Sequence, residues 1–225
     1  LNIVIKIGGH LIFKEQIDTN LLKQYVNLFR EVYDGGKWVI VVGGGSLART
    51  YVEAARKLGL SEGLCDDIGI KITRINASII SHALGDLAYP LVPTSIDELK
   101  AFSREGRIIV MGGLQPGQST IAVSAIAAET VNAEKLIIAT DVDGIYTEDP
   151  KKNPDAKLLK EVTVTELMKR LIEYSHEAGE YKLVDMVALK IIARSKIPTI
   201  YLNGKNPENI KKALKGEPIG TLLKI

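Results

Sequence analysis

A single cysteine, Cys65, stands in the 225 residues, so no intrachain disulfide is available, as suits a reducing compartment. No charge of one sign dominates: 29 basic residues face 27 acidic ones, for a formal net charge of +2. That balance gives no broad electrostatic case for a nucleic-acid partner, although a few placed lysines and arginines suffice for a small anion. Long apolar runs are missing too. Stretches such as Val39–Val42 and Ile108–Met111 fall far short of the roughly 20 residues that span a bilayer, so no membrane partner is expected. The segment Leu1–Ile7 is too short and wrongly flanked for a secretory signal, and the cytoplasm is the expected location. The three histidines, His10, His82 and His176, lack metal-ligand spacing, and one cysteine supplies no zinc cluster; no metal ligands are assigned. There is no G-x-S-x-G nucleophile elbow. His82 falls in a helical stretch and reads as a surface or packing residue.

What is present is an alternation. An apolar fraction of 46% with 25% charged residues matches a globular protein. The runs 3–7, 38–42, 89–92, 108–111, 136–140 and 199–202 are brief and nearly all apolar, as strands covered on both faces are. Between them lie helical stripes: Leu21, Leu22, Tyr25, Val26, Phe29, Val32 and Tyr33, started near Asp18 or Thr19 and stopped by Gly35-Gly36; then Ile68, Ile72, Ile75 and Ile79. Ser95-x-x-Glu98 and Thr163-x-x-Glu166 resemble capping boxes, and Asn206-Pro207 places a proline at a helix start. Strand–helix repetition predicts an α/β fold, a three-layer sandwich with a mainly parallel central sheet. No repeat, heptad run or low-complexity tract interrupts it, and Glu148–Pro154 reads as a surface loop.

Ligands bind open α/β sheets beyond the carboxyl ends of their strands, and four junctions there carry unusual residues. Lys6-Ile7-Gly8-Gly9-His10 puts a lysine inside an apolar strand ahead of two glycines. Its ammonium either reaches an anion beyond the strand or snorkels from a buried stem. Val42-Gly43-Gly44-Gly45-Ser46 leads into a helix with apolar Leu47, Tyr51, Ala54, Ala55 and Leu58. Free amides and the helix dipole make an anion cradle there, with the Arg49 fork in the first turn. It is neither a P-loop nor a G-x-G-x-x-G fingerprint. Met111-Gly112-Gly113-Leu114-Gln115-Pro116-Gly117-Gln118-Ser119-Thr120 offers donors and acceptors suited to a base edge, or equally a polar turn capped by Ser119. Thr140-Asp141-Val142-Asp143-Gly144-Ile145-Tyr146, then Asp149-Pro150, reads as a turn or as a nucleotide contact.

In order and spacing, KIGG, GGGSLAR, MGGLQPGQST, ATDVDGIYTEDP and DMVALKIIARS resemble the amino-acid-kinase superfamily, most closely its UMP kinase branch in the archaeal form, over essentially the whole chain. The resemblance implies a central sheet of about eight strands. It also implies one domain over 1–225, with an acceptor-binding part near 1–115 and an ATP-binding part near 116–225. It implies transfer of the γ-phosphoryl group of ATP to UMP in pyrimidine nucleotide synthesis, with Mg2+ carried chiefly on ATP phosphates. By the same resemblance Lys6, Arg49, Asp143 and Lys190 are catalytic; Gly9, His10, Gly45, Arg49, Thr140, Tyr146 and Asp149 contact ATP. UMP would fall to Gly44, Asp66, Leu114, Gln115, Pro116, Gly117, Gln118, Ser119 and Thr120. His10 departs from the small residue usual at its position. A homohexamer and inhibition by UTP are also implied. The alternatives are isopentenyl phosphate kinase, whose glycine motif is followed by a histidine where this chain has Ser46–Arg49, another kinase of the superfamily, and a nonenzymatic nucleotide or oxyanion binder on the same fold.

Overall fold

In the computed structural model, which describes residues 1–174 and 183–225, strands β1 (Ile3–Ile7), β2 (Trp38–Val42), β3 (Ile109–Met111), β4 (Lys135–Thr140), β5 (Glu161–Thr163), β6 (Thr199–Asn203) and β7 (Thr221–Lys224) form one sheet. Its order is β3-β2-β1-β4-β6-β7-β5, and only the β6–β7 pair is antiparallel. Helices α1 (Gly9–Ile12), α2 (Thr19–Val32), α3 (Gly45–Lys57), α4 (Glu62–Leu84), α5 (Ile96–Phe102), α6 (Thr120–Thr130), α7 (Val164–Tyr174), α8 (Met186–Ser195) and α9 (Glu208–Leu214) connect the strands.

Successive side chains of a strand point to opposite faces, and both faces here are covered. Ile3, Ile5, Ile7, Ile40 and Val42 pack with Leu22, Tyr25 and Phe29 of α2, Ala77 and Ile80 of α4, and Ile210 of α9. Val4, Val39, Val41, Leu136 and Ile138 pack on the other side with Val123 and Ala127 of α6 and Leu189 and Ile192 of α8. Each fully buried aliphatic side chain contributes about 1.5–3 kcal/mol, which explains why these strands carry almost nothing polar. Lys6 is the exception, and it lies on the α6–α8 face. Helix α6 has no polar stripe because it is enclosed: Ile121–Ala125, Ala127 and Ala128 are all buried.

The helix starts follow the expected chemistry. Asp18 caps α2 by accepting the Leu21 N–H, Ser95 caps α5 through the Glu98 N–H, and Thr163 accepts the Glu166 N–H at the start of α7. The run 89–92, expected as a strand, is not one. Ala88 and Ile108 form an isolated bridge and Tyr89 donates to the Ile108 carbonyl, but Pro90 has no N–H to continue a ladder. Short, half-exposed β5 and β7 take its place, giving seven strands among the described residues rather than about eight. A second correction concerns α4, whose expected stripe does not all turn inward: Ile75 is 53% exposed and Ile79 36% exposed, while Ile70, Thr73, Ala77, Ile80 and Leu84 are buried. Among the described residues no helix is long and apolar enough to cross a membrane.

Candidate active site

The parallel register sets the site. Lys6 of β1 stands opposite Val41 of β2 and Ile138 of β4, so all three strands end together. Their pairing then runs on into the loops: Gly8 N–H donates to the Ala139 carbonyl at 3.0 Å, and Gly43 N–H to the Ile7 carbonyl at 3.2 Å. The two glycine loops touch backbone to backbone. A Cβ on Gly9 would lie 2.4 Å from the Gly45 nitrogen, and one on Gly45, whose φ is +66°, would lie 2.0 Å from the Phe13 carbonyl. Only glycine satisfies both conditions.

Sequence reasoning missed the residue that orients this junction. Asn76, buried in mid α4, donates its Nδ2 hydrogens to the Gly43 carbonyl at 2.9 Å and the Gly44 carbonyl at 3.1 Å. With two carbonyls held toward α4, the start of α3 is fixed in place. An asparagine inside a helix gives no sequence signal, since its role depends on a loop 32 and 33 residues away.

A cavity of about 390 Å3 opens beyond the strand ends, lined by His10, Arg49, Thr140, Asp141, Val142, Asp149, Pro150, Lys151 and Leu183. Four residues expected to meet a nucleotide thus line one cavity: His10, Arg49, Thr140 and Asp149. Lys6 is buried on β1, and desolvation lowers its pKa to about 8 against the opposing pull of the Asp141 carboxylate, which lines the cavity. Asp141 holds His10 Nε2 at 3.3 Å and forms an ion pair with Lys151. Burial opposes ionisation of Asp141, but the bond to Lys151 and the charges of His10 and Lys151 outweigh it and lower its pKa. His10 is also shifted down, by burial first, with Lys6 and Lys151 adding to the shift and Asp141 resisting.

Asp143 and Lys190, also expected to be catalytic, do not line this cavity. Asp143, expected to orient the lysines, accepts from Asn203 Nδ2 at 2.9 Å and from the Tyr146 hydroxyl at 3.4 Å. It lies two residues farther along the turn, and the carboxylate acting on Lys6 is Asp141. Lys190, the expected second lysine, is an exposed residue of α8, whereas the lysine bonded to Asp141 is Lys151. Tyr146 lines a separate shallow cleft with Ile145, Leu167, Leu171 and Val184. His82 is exposed on α4 with Nδ1 on the Ser78 carbonyl, and His176 lies outside the described residues.

The 114–120 loop is tied down at both ends. Arg74 donates to the carbonyls of Gly113 at 3.1 Å and Leu114 at 3.0 Å, while Thr73 Oγ1 accepts the Gly113 N–H at 2.7 Å. Asp66 accepts the Gly117 N–H at 2.8 Å. Ser119 caps α6 through the Ala122 N–H and donates to Asp185, which caps α8 through the Ala188 N–H. Gln115, Pro116, Gln118 and Thr120 ride on this frame. A Cβ on Gly44 would meet Ala48 at 2.3 Å and Thr73 at 3.6 Å, the same threonine that accepts the Gly113 N–H. The arrangement is one of lysine, arginine and amide donors between two loops, chemistry that serves phosphate groups.

Residues 2–203 match the amino acid kinase family. The uridylate kinases of Methanobrevibacter smithii and Methanothermobacter thermautotrophicus are 45% and 46% identical to the chain over 221 residues, each alignment covering 98% of both proteins. The crystal structure of uridylate kinase from Archaeoglobus fulgidus superposes with a TM-score of 0.87 at 37% identity, covering 99% of this chain and 100% of that one. The UMP kinase of Bacillus anthracis shares the fold, with a TM-score of 0.82 at 23% identity. On its sequence and its fold alike, the chain belongs to the amino acid kinase family.

Proposed function

We propose that this chain transfers the γ-phosphoryl group of ATP to the phosphate of UMP, forming UDP and ADP. The observation that carries the reading is the junction of the two glycine loops beyond the strand of buried Lys6, beside one cavity that gathers His10, Arg49 and Lys151 with Asp141 and Asp149 and one loop rich in amide and hydroxyl groups. Near-full-length similarity to proteins named uridylate kinase supplies the substrates.

A phosphate oxygen of UMP attacks the γ-phosphorus as the bond to the β–γ bridging oxygen breaks and ADP departs. A phosphate monoester loses its second proton near pH ~6, so the acceptor needs no general base. Catalysis is then mostly positioning and charge stabilisation. Lys6 meets the transferring group, Arg49 and the amides of Gly9 and Gly45 meet the phosphates beside it, and Thr140, Asp149 and His10 border the donor. Tyr146, which lies on the same loop, is assigned to the donor as well. Gly44, Asp66 and the 114–120 loop take UMP. In this reading the donor draws on Gly9, His10, Gly45 and Arg49 from the part near 1–115 as well as on Thr140 and Asp149 from the part near 116–225.

Among the described residues no group of three or more His, Cys, Asp and Glu side chains is gathered for a metal. Magnesium would be delivered on ATP phosphates, with Asp141 and Asp149 the cavity carboxylates available to its water shell. The ion would supply charge neutralisation on those phosphates. Exposed Leu47 and Tyr51 of α3 with Ile75 and Ile79 of α4 support self-association, with a homohexamer as the expected form. UTP, which joins the acceptor's base to a donor-like triphosphate, is the expected inhibitor, and the cytoplasm is the expected location.

The test is a phosphoryl-transfer screen with ATP over UMP, CMP, dUMP and isopentenyl phosphate, read as ADP release and product identity. UDP formation in clear preference is expected. Equal turnover of every acceptor, or none of UMP, would overturn the assignment.

A further inference from the structure

Two neighbouring side chains of α4 hold the start of the 114–120 loop. Thr73 Oγ1 accepts the Gly113 N–H, while the Arg74 guanidinium donates from Nε to the Gly113 carbonyl at 3.1 Å and from a terminal nitrogen to the Leu114 carbonyl at 3.0 Å. The same nitrogen reaches the Thr94 carbonyl at 3.5 Å, and Glu98 accepts from both the N–H and the hydroxyl of Thr94. The loop presses on the helix. A Cβ on Gly112 would lie 2.4 Å from Thr73 Oγ1, and one on Gly113 2.9 Å from Ile70. A trans peptide sets its N–H opposite its C=O. With the carbonyls of Gly113 and Leu114 turned to Arg74, the N–H groups of Leu114 and Gln115 turn away from it. No described residue accepts either of them. Leu114 is half-buried and Gln115 exposed, so two successive amide donors stand open on a loop that Asp66 holds again at Gly117.

We propose that Arg74 is a positioning residue for the acceptor: by holding two carbonyls it aims the Leu114 and Gln115 amides at an oxygen of the acceptor's ring. The inference rests on the reading of this loop as the UMP side of the site. In that reading the phosphates occupy the junction of Lys6, Arg49 and the glycine amides, which leaves the base for the loop. Uracil carries carbonyl oxygens, and a backbone N–H is their complement. Arginine suits the part. Its planar fork offers donors from Nε and a terminal nitrogen in fixed geometry, where an ammonium on a flexible stem holds one carbonyl at a time without direction. All three bonds of Arg74 go to main-chain carbonyls, so this arginine sets backbone geometry and acts through the loop.

The experiment is steady-state kinetics with ATP and UMP in wild type, Arg74→Met and Arg74→Lys. Arg74→Met is expected to raise KM for UMP roughly tenfold, the scale of hydrogen bonds set by a charged group, while kcat and KM for ATP stay within about threefold. Arg74→Lys keeps the charge without the fork and should leave most of the loss in place. Should the methionine variant lose its circular dichroism spectrum, the KM of the lysine variant decides. A fall in kcat matching the rise in KM would put the amides on the reacting phosphate. Parallel losses for both substrates would make Arg74 a residue of the fold, and full recovery by lysine would make charge alone sufficient. Each of these, or an unchanged KM for UMP, overturns the proposal. A wild type that makes UDP while Arg74→Met keeps its KM for UMP refutes Arg74 alone. A wild type that phosphorylates another acceptor and not UMP refutes the substrate assignment, and the same split, read with that acceptor, decides Arg74. A wild type active on no acceptor refutes both.

Discussion

Lys6 holds a charge that its surroundings oppose. Burial lowers its pKa from 10.5 to about 8, with Asp141 limiting the fall. The folded chain therefore releases this proton at lower pH than the unfolded chain. Between about pH 8 and 10.5 the unfolded state holds more protons, and this group makes stability rise with pH. Phosphate anions beside the ammonium act the other way by favouring its charged form. ATP binding above pH 8 is thus expected to take up a proton, measurable by calorimetry in two buffers of different ionisation enthalpy. kcat/KM for ATP should decline as pH rises through about 8, and a flat profile from pH 7 to 9.5 would remove Lys6 from donor binding. Replacing Lys6 by alanine should lower kcat by at least about a hundredfold, the scale of a lost transition-state donor. Because a desolvated cation is removed, thermal stability should hold or rise. The sequence marked Lys6, since a lysine in an apolar strand before two glycines is hard to explain otherwise. It did not separate Asp141 from Asp143. Both follow the same strand, and the carboxylate whose charge acts on Lys6 is Asp141.

At the scale of elements, the glycine junction works only because α4 supports it. Asn76→Ala would leave the buried Gly43 carbonyl without its side-chain donor and remove one donor from the half-buried Gly44 carbonyl, costing about 2 kcal/mol. For a chain of this size that is roughly 4–8 °C in Tm. Because the freed loop carries the start of α3, kcat/KM for both substrates should fall together, and an effect on one substrate only would contradict this role. The strands and helix starts around this junction were legible because they obey local rules: apolar runs, a cap at Asp18, a cap at Ser95. Misreadings arose where distant contacts overrode local pattern. An apolar 89–92 has strand composition, but Pro90 stops its ladder. Glu161–Thr163 is not among the expected strands and becomes one by pairing with β7.

At the scale of the whole molecule, helices α3 and α4 pose the remaining question. They pack closely on each other, yet α3 buries only Ala55, and α4 turns Ile75 and Ile79 outward. Leu47 is 46% and Tyr51 53% exposed on the same pair of helices. Sequence periodicity reads such residues as core, because an apolar stripe looks the same whether its own chain or another chain covers it. Exposed apolar groups on two packed helices are where we propose the association surface lies. Tyr51→Glu with Ile75→Glu would place charges in that surface while touching nothing buried, so the subunit should keep its circular dichroism spectrum and its Tm to within the small range usual for surface changes. Sedimentation velocity should then shift the mass toward the monomer. Arg49 lies on α3 between Leu47 and Tyr51, so loss of the assembly should also weaken ATP use if packing between copies holds that helix in register. A monomeric wild type, or an assembly indifferent to both substitutions, would place the interface on another face and leave these side chains without a partner.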